Sequence, residues 1–355
     1  MERNQNALNR IGMFDLIKGV MMIIILSGHA FTNWRFDFQN NTLASILMAA
    51  LIPISYGILP TFFMICGYGF RKTSVKKCAK TQVRYLWKPY LGILIAIVVA
   101  ELGKRIFLPS EYWSSLKRTA LPYLLGFSPG GREFLGIYMD SIGPVWFFLV
   151  FVLASILLSV VLQEKRRWAQ IVIIAMLAAG GILLCDITLP WSIQKTMICC
   201  GYLYVGWLIK KHKFLQMEYP KYLLVIALIF CIVVMSIGGV DISQNVWQLG
   251  MIDLLATYIL GVIFLCVSVR MNFLTGKFSD AIRWLGRRAM WVGCIHTIDY
   301  IVLPWDEIAN LWPGNKFTGL IMETAVHLVL IFCGCLLLEY LQRRRRKKVI
   351  GRKVL

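Results

Sequence analysis

The chain has 355 residues, of which 58% are hydrophobic, and its mean hydropathy is +0.68. This composition excludes an ordinary soluble domain, which is more polar. The net charge of +20 would suggest nucleic-acid binding in a soluble protein. The Lys and Arg residues lie in loops between apolar runs, however, where membrane topology accounts for them, so we expect no nucleic-acid partner.

Ten stretches of the chain are long enough to cross a hydrocarbon core of about 30 Å as helices. They lie near residues 14–34, 43–70, 88–107, 144–162, 168–186, 194–209, 222–239, 250–269, 288–304 and 317–340. The sequence therefore predicts an all-α fold, a polytopic membrane helical bundle of about ten transmembrane helices. We expect one membrane domain over residues 1–342 and a basic tail over residues 343–355.

The distribution of basic residues predicts the orientation of this bundle. If the amino terminus is cytoplasmic, 29 Lys and Arg residues fall in cytoplasmic segments and 8 fall on the opposite side. Such an excess is typical of cytoplasmic loops. We therefore expect a multi-pass protein of the cell membrane with both termini in the cytoplasm.

The first predicted span carries three ionisable residues, Asp15, Lys18 and His29. Lys18 and His29 are eleven positions apart, which returns to the same helix face within about 20° and covers about 16 Å along the axis. Asp15 falls near the same face. Because a charged group facing lipid is costly, this stripe should face the bundle interior or a water-filled cavity.

Each of these residues also has a structural interpretation. Asp15 and Lys18 equally fit an ion pair near the membrane interface, with Lys18 extending toward water. His29 can accept a proton near physiological pH, and no nearby segment requires a structural histidine. A histidine that only bonds a neighbouring helix is the alternative.

Several motifs recur in a defined order along the chain. Residues 14–30 read FDLIKGVMMIIILSGHA, with a basic residue, ten intervening positions and a histidine. The later motifs are PTFFMICGYGFRK at 60–72, QVRYLWKPYL at 82–91, GPVWFF at 143–148 and RWLGRRAMWVGCIHTIDY at 283–300. Together they resemble the integral-membrane acyltransferase 3 family over nearly the whole chain. The sequence departs from that family at Cys66, where serine is usual, and at residues 291–294, which replace a tyrosine-rich segment.

The resemblance implies transfer of an acyl group, most often acetyl, from cytoplasmic acyl-CoA to a hydroxyl of an extracytoplasmic or lipid-linked glycan. His29 would be the catalytic base, oriented by Asp15 or by a partner on another helix. Acyl-CoA would be a co-substrate, with no bound cofactor and no metal. The remaining candidates are Lys18, Arg71 and Arg84 for the donor phosphates, and Trp146 and His296 for packing or support behind the reacting groups.

Two rival functions remain open. The first is a transporter or flippase whose path is lined by Asp15, Lys18, Glu101, Asp253, Asp299 and Glu323. The sequence shows no clear internal repeat and no Walker motif, which many transporters carry. The second is a catalytically silent scaffold or sensor, against which the intact Lys18 and His29 count.

Overall fold

The computed structural model describes residues 12–33, 52, 54–106, 121–128, 132–134, 136–139, 142–187, 189–218, 220–303, 305 and 316–351. Its main elements are helices. In chain order they are α1 (Asp15–Asn33), α2 (Ile58–Gly69), α3 (Val75–Gln82), α4 (Lys88–Ile106), α5 (Trp146–Val161), α6 (Arg167–Leu183), α7 (Ile193–Lys211), α8 (Lys221–Ile237), α9 (Met251–Met271), α10 (Lys277–Arg287), α11 (Ala289–Val302) and α12 (Lys316–Gly351).

Short elements complete the described part. A π-helical turn, Val83–Trp87, joins α3 to α4. Two small antiparallel hairpins pair β1 (Arg132–Phe134) with β2 (Ile137–Met139) and β3 (Val240–Asp241) with β4 (Val246–Trp247). The all-α prediction is therefore confirmed, with these two hairpins as minor additions.

Each predicted span contains a helix, but some boundaries differ from the prediction. In the predicted second span, residues 43–51 and 53 lie outside the described part, residues 52, 54 and 55 are helical, and α2 begins at Ile58 after a turn at 56–57. The predicted third span, 88–107, agrees with α4, but the helical stretch extends beyond it to Val75, where the Ser74 side chain accepts a hydrogen bond from the Lys77 amide. That amphipathic stretch lacks the continuous apolar run that marks a span.

Four helical stretches in the described residues are long and apolar enough to cross a membrane: Val75–Ala100, Gly143–Val161, Met251–Met271 and Ile321–Arg344. Four shorter apolar helices accompany them: Ile58–Gly69, Arg167–Leu183, Lys221–Ile237 and Ala289–Val302. The membrane character of the chain is thus supported, while the count of about ten spans stays a prediction.

Outward-facing apolar side chains suit a lipid environment. On α6, Ile171, Val172 and Met176 are exposed, and on α8 the exposed side chains include Val225 and Ile229. Soluble proteins rarely expose continuous apolar faces of this kind. Since hydrocarbon solvates such faces well, both helices are suited to the periphery of a membrane bundle.

Close helix crossings at glycine fix the centre of the bundle. A Cβ atom added to Gly67 of α2 would collide with the Leu203 carbonyl oxygen of α7, and one added to Gly206 of α7 would collide with the Met64 carbonyl oxygen of α2. The same reciprocity joins α1 to α10, where Gly19 faces the Ile282 carbonyl and Gly286 faces the Asp15 carbonyl. Small residues at such crossings let helix backbones approach closely in membranes.

The helix α1 packs against several helices of the bundle. Near its start α10 crosses it, and α9, α11 and α12 also contact it, with α11 and α12 contacting each other. The carboxyl half of α1 therefore lies beside the two helices that carry His296 and His327.

Candidate active site

Two histidines predicted from the sequence meet at the contact between α1 and α11. The ring centroids of His29 and His296 are 5.0 Å apart. Tyr300, one turn after His296 on α11, brings its ring to 4.8 Å from His29. His29 is only partly buried, whereas His296 is 2% exposed. His29 therefore lies nearer the surface of the bundle than His296, which lies in its interior.

A second histidine pair lies deeper, between α11 and α12. The rings of His296 and His327 have centroids 5.8 Å apart. His327 Nδ1 donates a hydrogen bond of 2.5 Å to Asp299 Oδ2. Glu323, one turn before His327 on α12, approaches His327 Nε2 with Oε1 at 3.5 Å. Three histidines from three helices thus form a continuous cluster with two carboxylates.

Trp305 covers the deep side of this cluster. Its ring lies 3.8 Å from that of His327, centroid to centroid, and its Nε1 donates to the Asp299 backbone oxygen at 3.2 Å. Trp305 is 4% exposed and His327 is 0% exposed. The indole therefore separates His327 and Asp299 from bulk water.

Several polar atoms of the cluster have no hydrogen-bond partner among the described residues. They are Nδ1 and Nε2 of His296, Oδ1 of Asp299 and Nε2 of His327. Leaving a buried polar atom unsatisfied costs about 1 to 3 kcal/mol, and such exceptions call for an explanation such as catalysis or a bound ion. His296, Asp299 and His327 each offer one potential metal-ligand atom, and these atoms lie within 4.8 Å of one another.

Asp15 and Lys18 lie at the opposite end of α1 from His29. Lys18 Nζ and Asp15 Oδ1 form an ion pair at 2.8 Å, the structural alternative that the sequence left open. Asp15 precedes His29 by fourteen positions in one helix, which corresponds to about 21 Å along the axis. The structure therefore does not bring Asp15 to His29.

Two of the three candidate donor-binding residues, Lys18 and Arg71, lie at the same end of the bundle. Phe14, beside Asp15, packs edge-on against Tyr68 with ring centroids 5.2 Å apart, so the start of α1 lies near the end of α2. Arg71 follows α2 directly and is exposed. Lys18 and Arg71 thus share one end of the bundle. Arg84 is exposed in the π-helical turn, where its guanidinium lies 5.8 Å from the centroid of the Tyr85 ring.

Trp146, the other predicted supporting residue, has a different neighbour. It is buried at the first position of α5, and Lys195 Nζ lies 4.9 Å from its ring centroid. Lys195 is 1% exposed and donates to the carbonyl oxygens of Ser128, at 2.6 Å, and Ser243, at 2.5 Å. These contacts make Trp146 part of a loop-anchoring cluster around Lys195.

The acidic residues considered for a transport path fall into separate groups. Asp15 pairs with Lys18, whereas Asp299 and Glu323 both lie against His327. Asp253 accepts a hydrogen bond of 2.7 Å from the Leu249 amide at the start of α9. The Glu101 side chain lies outside the described residues. The described members of the set therefore do not form one continuous line.

His327 and Trp305 were missed by the sequence analysis. The available signal was the spacing of Glu323 and His327, because residues four apart share a helix face and ionisable residues within apolar helices are commonly functional. Asp299 and Glu323 were considered only for transport. The contacts of His327 with α11 depend on tertiary packing, which no local pattern reveals.

Comparison with known proteins agrees with this description. The sequence model of the acyltransferase 3 family, described as an acyltransferase domain, matches residues 11–340. No curated protein and no solved structure gives a significant match. Because the family match spans nearly the whole chain, including every residue of the histidine cluster, this chain belongs to the acyltransferase 3 family.

Proposed function

We propose that this membrane acyltransferase moves an acetyl group from cytoplasmic acetyl-CoA to a hydroxyl of an extracytoplasmic or lipid-linked glycan, with His29 as general base. The observation that carries the proposal is the contact of His29 with both His296 and Tyr300 in a chain of this family. His29 remains partly exposed, so a substrate hydroxyl can reach it.

In the proposed reaction, His29 accepts the proton of the acceptor hydroxyl as its oxygen attacks the thioester carbonyl carbon. A tetrahedral intermediate forms, and the carbon–sulfur bond then breaks. The departing thiolate takes up the proton, which releases CoA and the O-acetylated acceptor. No covalent acyl-enzyme is needed. The sequence contains a G-x-S-x-G pattern at residues 126–130, but the Ser128 hydroxyl donates to the Ser243 carbonyl at 3.0 Å, and the pattern follows a helical segment instead of the strand that precedes a nucleophile elbow.

His296 and Tyr300 are the proposed supports for the His29 ring, in place of Asp15. The pairing of Asp15 with Lys18 and its distance of about 21 Å along α1 leave it no direct part in proton transfer. The sequence left open whether Asp15 or a residue on another helix orients His29. The contacts of His29 with α11 favour the residue on another helix. Trp146 is assigned only to packing near Lys195.

The donor is proposed to bind with its phosphates near Lys18 and Arg71, and with Arg84 contributing attraction from the surface. Lys18 and His29 are separated by about 16 Å along α1. The pantetheine arm of CoA is long and flexible, so it can extend along such a distance from bound phosphates to a reacting thioester. Basic side chains make charge-assisted hydrogen bonds to phosphate.

The proposed setting is the cell membrane, with the bilayer as a partner and both termini cytoplasmic. Under this orientation the donor-binding residues face the cytoplasm, where acyl-CoA is available. The transporter alternative is less favoured, because the described acidic residues fall into three separate groups, at Asp15, at Asp253 and around His327.

The decisive experiment replaces His29 with Gln, which keeps polarity but does not act as a base in this step. Purified parent and His29→Gln proteins in lipid nanodiscs are incubated with acetyl-CoA and a lipid-linked glycan extract, and acetylated product is measured by mass spectrometry. Loss of general-base catalysis should lower the rate by about 10² to 10⁴.

His212→Gln is the matched control, because His212 is exposed in the loop after α7. It should transfer acetyl at the parental rate. If His29→Gln works at a rate close to that of the parent, His29 is a structural histidine and the proposed base is wrong. If the parent consumes no acetyl-CoA with any hydroxyl acceptor but moves glycan across a vesicle membrane, the transporter alternative is favoured.

A further inference from the structure

The deep part of the histidine cluster has the composition of a metal site. His296 and Asp299 lie three positions apart on one face of α11, and His327 approaches them from α12. One potential ligand atom from each lies within 4.8 Å of the other two. The three side chains are 2%, 6% and 0% exposed, respectively.

His296 gives independent evidence that this position accepts a ligand. Both of its ring nitrogens lack a hydrogen-bond partner among the described residues, although the side chain is almost fully buried. A neutral imidazole presents one N–H donor and one lone pair. An ion within reach of the lone pair would explain why a polar ring is retained there.

We propose that His296, Asp299 and His327 bind one divalent cation of the zinc class. Two imidazoles and one carboxylate are a common donor set of zinc sites, which keep a fourth position for water or substrate. The same set also suits other transition metals that favour nitrogen and oxygen ligands. The inference goes beyond the acyl-transfer proposal and does not depend on the identity of donor or acceptor.

The geometry requires only a small local change. His327 Nδ1 and Asp299 Oδ2 are 2.5 Å apart with a proton between them, whereas zinc bonds of about 2.0 to 2.2 Å place tetrahedral ligand atoms about 3.3 to 3.6 Å apart. The cation would take the place of that proton, which is released to solvent. His296 Nδ1, now 3.9 Å from Asp299 Oδ2, is already near the required separation.

Glu323 lies beside His327 where a metal-bound histidine usually has a supporting carboxylate. Its Oε1 lies 3.5 Å from His327 Nε2, the ring nitrogen opposite the proposed ligand atom. A carboxylate at this position orients the imidazole and strengthens it as a ligand, and removing such a group typically weakens metal binding about 10- to 100-fold. Trp305 stacks on the same ring and limits its movement.

The location connects the site to His29. The His296 ring, a proposed ligand, is in direct contact with the His29 ring, with centroids 5.0 Å apart. A cation held by His296 would therefore be adjacent to the proposed general base.

The test measures metal content and does not require activity. The full chain is purified with a streptavidin-binding tag, equilibrated with zinc, freed of excess ion and analysed by mass spectrometry for zinc per chain. We expect about one tightly held ion per chain. Cobalt substitution should give the visible absorption of a four-coordinate nitrogen and oxygen site, without the thiolate charge-transfer bands that binding to a cysteine would produce.

Variants locate the ion. The double variant His296→Gln/His327→Gln should lose it, Glu323→Gln should weaken binding about 10- to 100-fold, and His212→Gln should keep full occupancy. Circular dichroism and size-exclusion profiles check the fold of each variant. The inference is wrong if the parent holds no zinc or cobalt beyond the level of the double variant, which would leave a purely hydrogen-bonded cluster. Thiolate bands in the cobalt spectrum would overturn it equally.

Discussion

Lys18 has a carboxylate partner already, and this limits how a donor phosphate can use it. The Asp15 to Lys18 pair is not closed off from water, because 23% of the Lys18 side chain is accessible, and solvent screening weakens the attraction in such a pair. A phosphate group that brings more charge can therefore compete for the ammonium. Arg71 has no such restriction in the proposed scheme, since it is exposed at the same end of the bundle.

Neutralising the proposed donor-binding residues should raise the KM for acetyl-CoA, the proposed donor, more than it changes kcat. The clean variants are Arg71→Gln and the double change Asp15→Asn/Lys18→Gln, which removes the ion pair without leaving Asp15 unpaired and buried. Charge-assisted contacts are worth about 1.5 to 3 kcal/mol, so roughly a ten- to hundredfold rise in KM is expected. Steady-state kinetics with varied acetyl-CoA measures it.

Lys76→Gln serves as the comparison, because Lys76 is an exposed basic residue of α3 with no assigned role. Its KM should stay near the parental value. If all three variants share one unchanged KM, Lys18 and Arg71 contribute to topology alone.

Glycine determines how closely α2 and α7 approach. Gly67 and Gly206 face backbone carbonyls of the opposite helix, and backbone cannot move aside as a flexible side chain can. Overpacking at such a contact typically costs about 1 to 3 kcal/mol. Gly67→Ala should therefore lower the thermal midpoint, measured as the loss of monodisperse protein after heating in detergent.

Gly69 provides an internal comparison on the same helix. A Cβ atom there has no neighbour within 4 Å, so Gly69→Ala should be neutral or slightly stabilising, because alanine favours helix. Equal thermal midpoints for the two variants would contradict the close crossing.

How much of the structure the sequence could predict differs between elements. Apolar runs located the helices, since a lipid-facing backbone must satisfy its hydrogen bonds internally. The helical stretch from Val75 was missed because its apolar face is narrow and its basic residues resemble a loop. Within the site, His29 could be identified from its place in an apolar helix. Its contact with His296 could not, because it joins residues more than 250 positions apart.

Helix α5 separates two loops that the charge distribution assigns to opposite sides of the membrane. At its first residue, Trp146 contacts Lys195, which bonds to the Ser243 carbonyl in the loop between β3 and β4. Near its end, the Ser159 hydroxyl donates to the Thr73 carbonyl. Thirteen residues of helix correspond to about 20 Å, so the two loops lie at opposite ends of a candidate membrane span.

This separation allows a direct test of orientation with two exposed positions, Lys76 and Gln244. Each is changed to cysteine in a Cys185→Ser background, because Cys185 is a partly exposed thiol whose backbone oxygen lies near Asn245 in the same loop as Gln244. In intact cells an impermeant maleimide should label Gln244→Cys and spare Lys76→Cys until the membrane is permeabilised. The physical reason is the excess of basic residues on the Lys76 side, which disfavours translocation of those loops. The reverse pattern, with Lys76→Cys labelled and Gln244→Cys protected, would invert the bundle and move the proposed donor-binding end out of the cytoplasm.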